Sequence, residues 1–152
     1  MTERIQVTKT HKLFIGGAFP RSESGRSAVV IDARGKVAAH LCRASRKDVR
    51  DAVTAAAKAQ PAWAERAAYN RSQILYRMGE MLEGKSDEFI QVIKQTTHAD
   101  LRAARKQVAA SIDRLVAFAG WADKFSQVLG CHNPIAGPYY NFTVPEATGV
   151  VA

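Results

Sequence analysis

Cysteine is scarce in this chain. Its 152 residues hold two, Cys42 and Cys131, too few for a disulfide framework and with no C-x-x-C pair. That usage fits a reducing, cytoplasmic setting. Long apolar runs are missing too. None approaches the roughly 18 residues of a membrane-spanning helix, and Met1 to Thr10 holds no apolar segment of a signal peptide. The four His, at 11, 40, 98 and 132, never stand at H-x-x-x-H spacing. No Cys or acidic cluster accompanies them, so no metal site is expected. Neither G-x-G-x-x-G nor G-x-x-x-x-G-K-[ST] occurs, and with them the usual phosphate cradles are missing.

What is present is ordinary for a folded domain. The chain is 47% hydrophobic and 24% charged, which argues against disorder and fibrous architecture. One domain fits this length. A dinucleotide-binding domain plus a separate catalytic domain does not.

Charge is uneven. The net charge is +8, and residues 1–50 carry eleven Lys and Arg against four Asp and Glu. A basic half can serve an anionic partner such as nucleic acid. These cations are spread out, with no arginine-rich run and no aromatic cluster of an RNA-binding sheet. A solvated surface is the reading, with no nucleic acid and no membrane as partner.

The pattern begins with strands. Residues 12–19 read as a β-hairpin around Gly16-Gly17, two glycines suited to a tight primed turn. Ala28 to Asp32 and Val37 to Cys42 read as a second hairpin. The period then becomes helical. Ser45-Arg46-Lys47-Asp48 is a capping box, and its helix is expected to stop near Pro61, with Trp63 closing the turn. A second helix runs from Tyr69 to Leu82, with Ile74, Leu75, Met78, Met81 and Leu82 on one face and Gly84 as its cap. Ser86 caps a third, with Asp87 and Glu88 in its first turn and Phe89, Ile90 and Ile93 inside. The fourth spans Asp100 to Phe125. Its Gly120 weakens a helix interior, so a close backbone neighbour is expected there. Gly130 to Pro138 reads as a loop, Tyr139 to Val144 as a strand, and Val150 to Ala152 as the opening of another.

Local motifs name no reaction. Cys131 lies beside His132, and an imidazolium can raise a thiolate fraction, yet no third orienting group follows. No carboxylate pair is marked for acid–base work. No catalytic, cofactor-binding or metal-binding residue is assigned.

Several phrases resemble the N-terminal region of the aldehyde dehydrogenase superfamily. Leu13-Phe14-Ile15-Gly16-Gly17 is similar to its opening hairpin. Ser45 to Ala59 is similar to its S-x-x-D-V-x-x-A-V-x-A-A-x-x-A helix. Pro61-Ala62-Trp63 with Arg71-Ser72-Gln73-Ile74-Leu75 resembles its x-x-W turn and R-x-x-I-L helix. Ala119-Gly120-Trp121-Ala122-Asp123-Lys124 matches its A-G-W-A-D-K phrase, and Pro145 to Val151 is similar to its x-E-P-x-G-V-V. Two departures stand out. Gln95-Thr96-Thr97-His98-Ala99 replaces E-T-G-K, and Pro145-Glu146 is transposed. The stretch from Phe14 to Arg26 is similar to an atypical branch with some non-catalytic domains.

The resemblance implies an α/β family fold, of which this chain would hold N-terminal β-hairpins, about four helices and an oligomerisation strand. Residues 1–138 would be the peripheral part of the cofactor domain, 139–146 the oligomerisation strand and 147–152 the start of the first cofactor-domain strand. A complete member binds NAD or NADP, attacks an aldehyde with a thiolate, passes hydride to nicotinamide and hydrolyses the thioester with help from a glutamate. The family's catalytic asparagine, lysine, glutamate and cysteine fall downstream of Ala152. The chain is therefore expected to be an inactive N-terminal fragment that does not bind the cofactor tightly. Lys106 and Ala110 are candidates for a substrate-entrance face of the long helix. Tyr140, Phe142 and Val144 are candidates for the oligomer strand, in a homo-oligomer or against the remainder of an aldehyde dehydrogenase. The alternative is a stand-alone non-catalytic assembly module.

Overall fold

The computed structural model describes residues 8–130 and 132–152. They divide into two compact units. One holds the described residues up to Ala59 with Asp87–Arg105, the other Gln60–Ser86 with Lys106–Ala152.

In the first unit, the chain opens on a sheet of three strands. These are β1 (Thr10–His11), β2 (Ser27–Ile31) and β3 (Val37–Cys42), in the order β1-β3-β2. β2 and β3 form the expected antiparallel hairpin, with a register shift between Val30 and Ile31. β1 lies parallel to β3 and just upstream of the expected first hairpin. That hairpin contracts to one bridge, Ile15 to Ala18. Its turn is as read. Gly16 and Gly17 have φ of 58° and 81°, the primed geometry that side chains resist. The Phe14 and Phe19 rings pack across it at 5.1 Å. Asp32 closes the β2–β3 turn, its Oδ1 accepting from the Arg34 and Lys36 amides at 2.9 Å each.

α1 (Arg46–Ala64) starts at the capping box. Ser45 Oγ accepts from the Asp48 amide at 3.2 Å, and Asp48 Oδ2 accepts from the Ser45 amide at 2.7 Å. The box extends further than its motif, because Ser22 Oγ also donates to Asp48 Oδ2 at 2.6 Å. The polar loop before β2 is thus pinned to the helix start. The Ser22 hydroxyl, then the Ser45 amide, hold the Asp48 carboxyl below its ordinary value, against the opposing pull of burial. A depressed carboxyl stabilises the fold above its unfolded pKa, near 3.9, and loses that contribution as pH falls through the lower folded value. Urea titrations from pH 7 down to 3 are expected to show this loss. Ser22→Ala should shrink it by removing the largest cause.

α1 does not stop at Pro61. It carries Pro61 inside its last turns and ends at Ala64, so Trp63 is helical. Proline's fixed φ suits a helix, and its missing N–H forfeits a single bond near the end. The Pro61 carbonyl still accepts from the Glu65 amide at 2.9 Å.

α3 (Ser86–Thr97) has Asp87 and Glu88 in its first turn as expected, and Ser86 is its first residue. Ile90 is buried and Ile93 half-buried, whereas Phe89 is exposed. Asp100 precedes α4 (Leu101–Ala122) and accepts from the Ala103 amide at 2.6 Å, an N-cap.

In the second unit, α2 (Ala68–Glu83) begins and ends within a residue of expectation. Its inner face differs. Ile74, Leu75 and Leu82 are half-buried, but Met78 and Met81 are exposed. Gly79 is the buried position. A Cβ there would meet Val116 Cγ2 at 3.5 Å and Leu115 Cβ at 3.7 Å. Ser72 Oγ donates to the Ala119 carbonyl at 2.7 Å. So the close helix approach falls at Gly79. Gly120 is exposed, with nothing within 4 Å of its Cβ position. Gly84 does follow α2, in right-handed conformation (φ −61°) and not as a left-handed cap.

α4 ends three residues before Phe125, and a fifth short helix follows, α5 (Phe125–Leu129). Two two-residue strands, β4 (His132–Asn133) and β5 (Asn141–Phe142), pair antiparallel. The expected strand over residues 139–144 is thus reduced to its middle, and residues 150–152 form no strand.

Candidate functional site

The β4–β5 hairpin carries the residues singled out for assembly. His132 faces Phe142, and Asn133 faces Asn141. The His132 and Tyr140 rings stack at 4.8 Å and 22°, and Tyr140 meets Phe142 at 5.4 Å. Aromatic groups at these spacings attract beyond their buried area. Asn133 Nδ2 donates to Asn141 Oδ1 at 3.1 Å and to Thr143 Oγ1 at 2.9 Å. A row of rings and a row of amides therefore hold a hairpin too short to hold itself. Tyr140 and Phe142 come together. Val144 lies beyond the pairing, and all three are exposed, at 75%, 55% and 62%.

Asn133 and His132 were missed as parts of this hairpin. A two-residue strand has no periodicity to read. His132 stacks on Tyr140, and its expected neighbour Cys131 lies outside the described residues.

Lys106 and Ala110 stand one turn apart on α4. Lys106 is exposed and Ala110 half-buried. A groove of about 660 Å³ lies elsewhere in this unit, lined among others by Trp63, Arg71, Phe125 and Glu146. Arg71 is engaged there. Its Nη1 donates to the Ala64 carbonyl at 3.0 Å and to the Arg66 carbonyl, satisfying carbonyls at the end of α1.

The start of α1 is filled by the Asp48 carboxylate and that of α4 by Asp100. The Gly16-Gly17 turn opens no helix. Cys42 is a half-buried thiol of β3. Among the described residues no group of three His, Cys, Asp or Glu could hold a metal ion, and no helix is long and apolar enough to cross a membrane.

Comparison with known proteins assigns the family. The profile of the aldehyde dehydrogenase family matches residues 19–152. Aldehyde dehydrogenase family 2 member B4, mitochondrial, of Arabidopsis thaliana is 32% identical over 96% of this chain and 27% of its own length. Benzaldehyde dehydrogenase, mitochondrial, of Antirrhinum majus is 31% identical over 91% and 26%. The structure of PnpE, in complex with nicotinamide adenine dinucleotide, superposes at a TM-score of 0.79 with 28% identity. It covers 87% of this chain and 27% of PnpE. This chain spans about a quarter to a third of the length of the curated relatives it matches. The α/β fold and the phrases from Phe19 to Ala152 have one source: the chain belongs to the aldehyde dehydrogenase family.

Proposed function

We propose that this chain is N-terminal scaffold of an NAD(P)-dependent enzyme oxidising an aldehyde to a carboxylic acid, and contributes none of the catalytic groups. One observation carries the reading. The family match covers residues 19–152, and this stretch corresponds to about a quarter to a third of the length of the curated relatives. PnpE, solved with nicotinamide adenine dinucleotide, supports NAD as the cofactor of a complete protein. The cytoplasm is the proposed location, from a cysteine pair without C-x-x-C spacing.

The proposed division is 1–138 as the peripheral cofactor-domain part, 139–146 as the oligomer strand and 147–152 as the start of the next strand. Lys106 and Ala110 are the proposed substrate-entrance positions. Tyr140, Phe142 and Val144 are proposed to meet a partner strand, in a homo-oligomer or on the remainder of the enzyme. Unpaired strand edges with apolar side chains favour such pairing. Native mass measurement is expected to show the chain associated at micromolar concentration. Phe142→Lys should weaken that association at least about tenfold, the scale of one interface aromatic. A chain monomeric throughout, or unaffected by the substitution, would refute the strand's role.

A further inference from the structure

His98 is the one non-glycine among the described residues with a left-handed backbone, at φ 58°. Side chains resist that conformation, and it persists where the surroundings hold it. His98 follows the last residue of α3 and stands in the link to α4, two positions before the N-cap Asp100. Its ring reaches 67 positions back along the chain. Nε2 lies 2.7 Å from the carbonyl oxygen of Ile31. Ile31 is the last residue of β2, an outer strand, at the point where the β2–β3 register shifts. Both partners belong to the first unit.

We propose that His98 is a clasp that fastens the α3–α4 link to the end of β2, and that its left-handed backbone is kept by this bond. A carbonyl accepts and cannot donate, so Nε2 must carry a proton. The imidazolium meets that requirement, as does one of the two neutral tautomers. The chemistry thus fixes the neutral tautomer as Nε2–H. Glycine would satisfy the backbone alone, and alanine would satisfy neither demand. The residue at this place serves two purposes that glycine cannot combine. Opening the clasp frees the irregular end of β2 while the α1 capping box and the helices of the second unit keep their own bonds.

Two measurements on the full chain test this. Long-range nitrogen–proton correlation at neutral pH should show His98 with its proton on Nε2. A neutral ring with its proton on Nδ1 and none on Nε2 overturns the proposal. Amide hydrogen exchange should then compare wild type with His98→Gly and His98→Asn, both of which tolerate left-handed backbone. Exchange across residues 27–42 is expected to quicken about threefold to tenfold in both variants, the range of one net hydrogen bond. Exchange in α2 should stay unchanged. Equal exchange across residues 27–42 in all three proteins means that His98 is only a turn residue. Faster exchange throughout the chain means general loosening, and that result also overturns the clasp.

Discussion

Incubated with NAD+ or NADP+ and an aldehyde, the 152-residue chain is expected to form no reduced nicotinamide above a protein-free control. The reaction needs a thiolate, a base that activates water, and a platform that holds nicotinamide against the thiohemiacetal. Proximity and a preorganised site supply most of the acceleration in such reactions. The two positions able to supply a thiolate are Cys42 and Cys131. Cys42 sits half-buried in β3 opposite Ser27. The start of α1, where a helix would favour phosphate, is occupied by the chain's own Asp48. Relative to a complete enzyme the expected loss is therefore total, at least about a millionfold. Nicotinamide absorbance or fluorescence measures it directly. Turnover that scales with this chain and vanishes in Cys42→Ser or Cys131→Ser would refute the scaffold reading. The clasp at His98 would be untouched by that result, since its readouts do not involve catalysis.

Sequence legibility followed the range of the interactions. Local signals read well. Gly16-Gly17 announced a primed turn because both residues need positive φ. Ser45 and Asp48 announced a helix start because their reciprocal bonds are three residues apart. Nonlocal contacts read poorly. Gly79 adds nothing to a count of apolar residues, yet it is the buried position of α2, packed toward Leu115 and Val116. The same count placed Met78 and Met81 inside, where they are not. The aromatic run from Tyr139 to Phe142 has strand composition, but its partner is His132–Asn133, two residues without any pattern. Pro61 reads as a stop because proline usually costs a helix its continuation. Here it sits three residues from the end, where one lost bond matters less. His98 stands out in the sequence only as part of the departure from E-T-G-K, which does not by itself point to a left-handed backbone, a conformation expected first of glycine. The family resemblance reached further than these local rules, because ordered phrases over the whole chain do not depend on any single contact.

Val108→Asp is expected to unfold the chain. Buried apolar side chains are few among the described residues. Ala39, Ile90 and Ala104 lie in the first unit, Val108 and Ala119 in the second. Val108, 4% exposed, is the larger of the two in its unit. Three of the five are alanines, which bury little area, so the larger side chains carry a disproportionate share of the apolar burial. A carboxylate at 108 must either be buried without a charge partner or be protonated, and both routes cost free energy. The cost is about 4 kcal/mol or more, comparable with the lower end of total domain stability, about 5 kcal/mol. Two substitutions calibrate the measurement. Lys106→Ala changes an exposed position two residues away and should stay within about 0.5 kcal/mol. Gly79→Ala places its Cβ at ordinary contact distance from Leu115 and Val116. It should stabilise by about 0.5–1 kcal/mol through helix propensity and a less flexible unfolded chain. Circular dichroism in urea at neutral pH resolves all three. A folded, cooperative Val108→Asp would mean that this stripe of α4 faces water, and the assignment of the second unit's core would have to be abandoned.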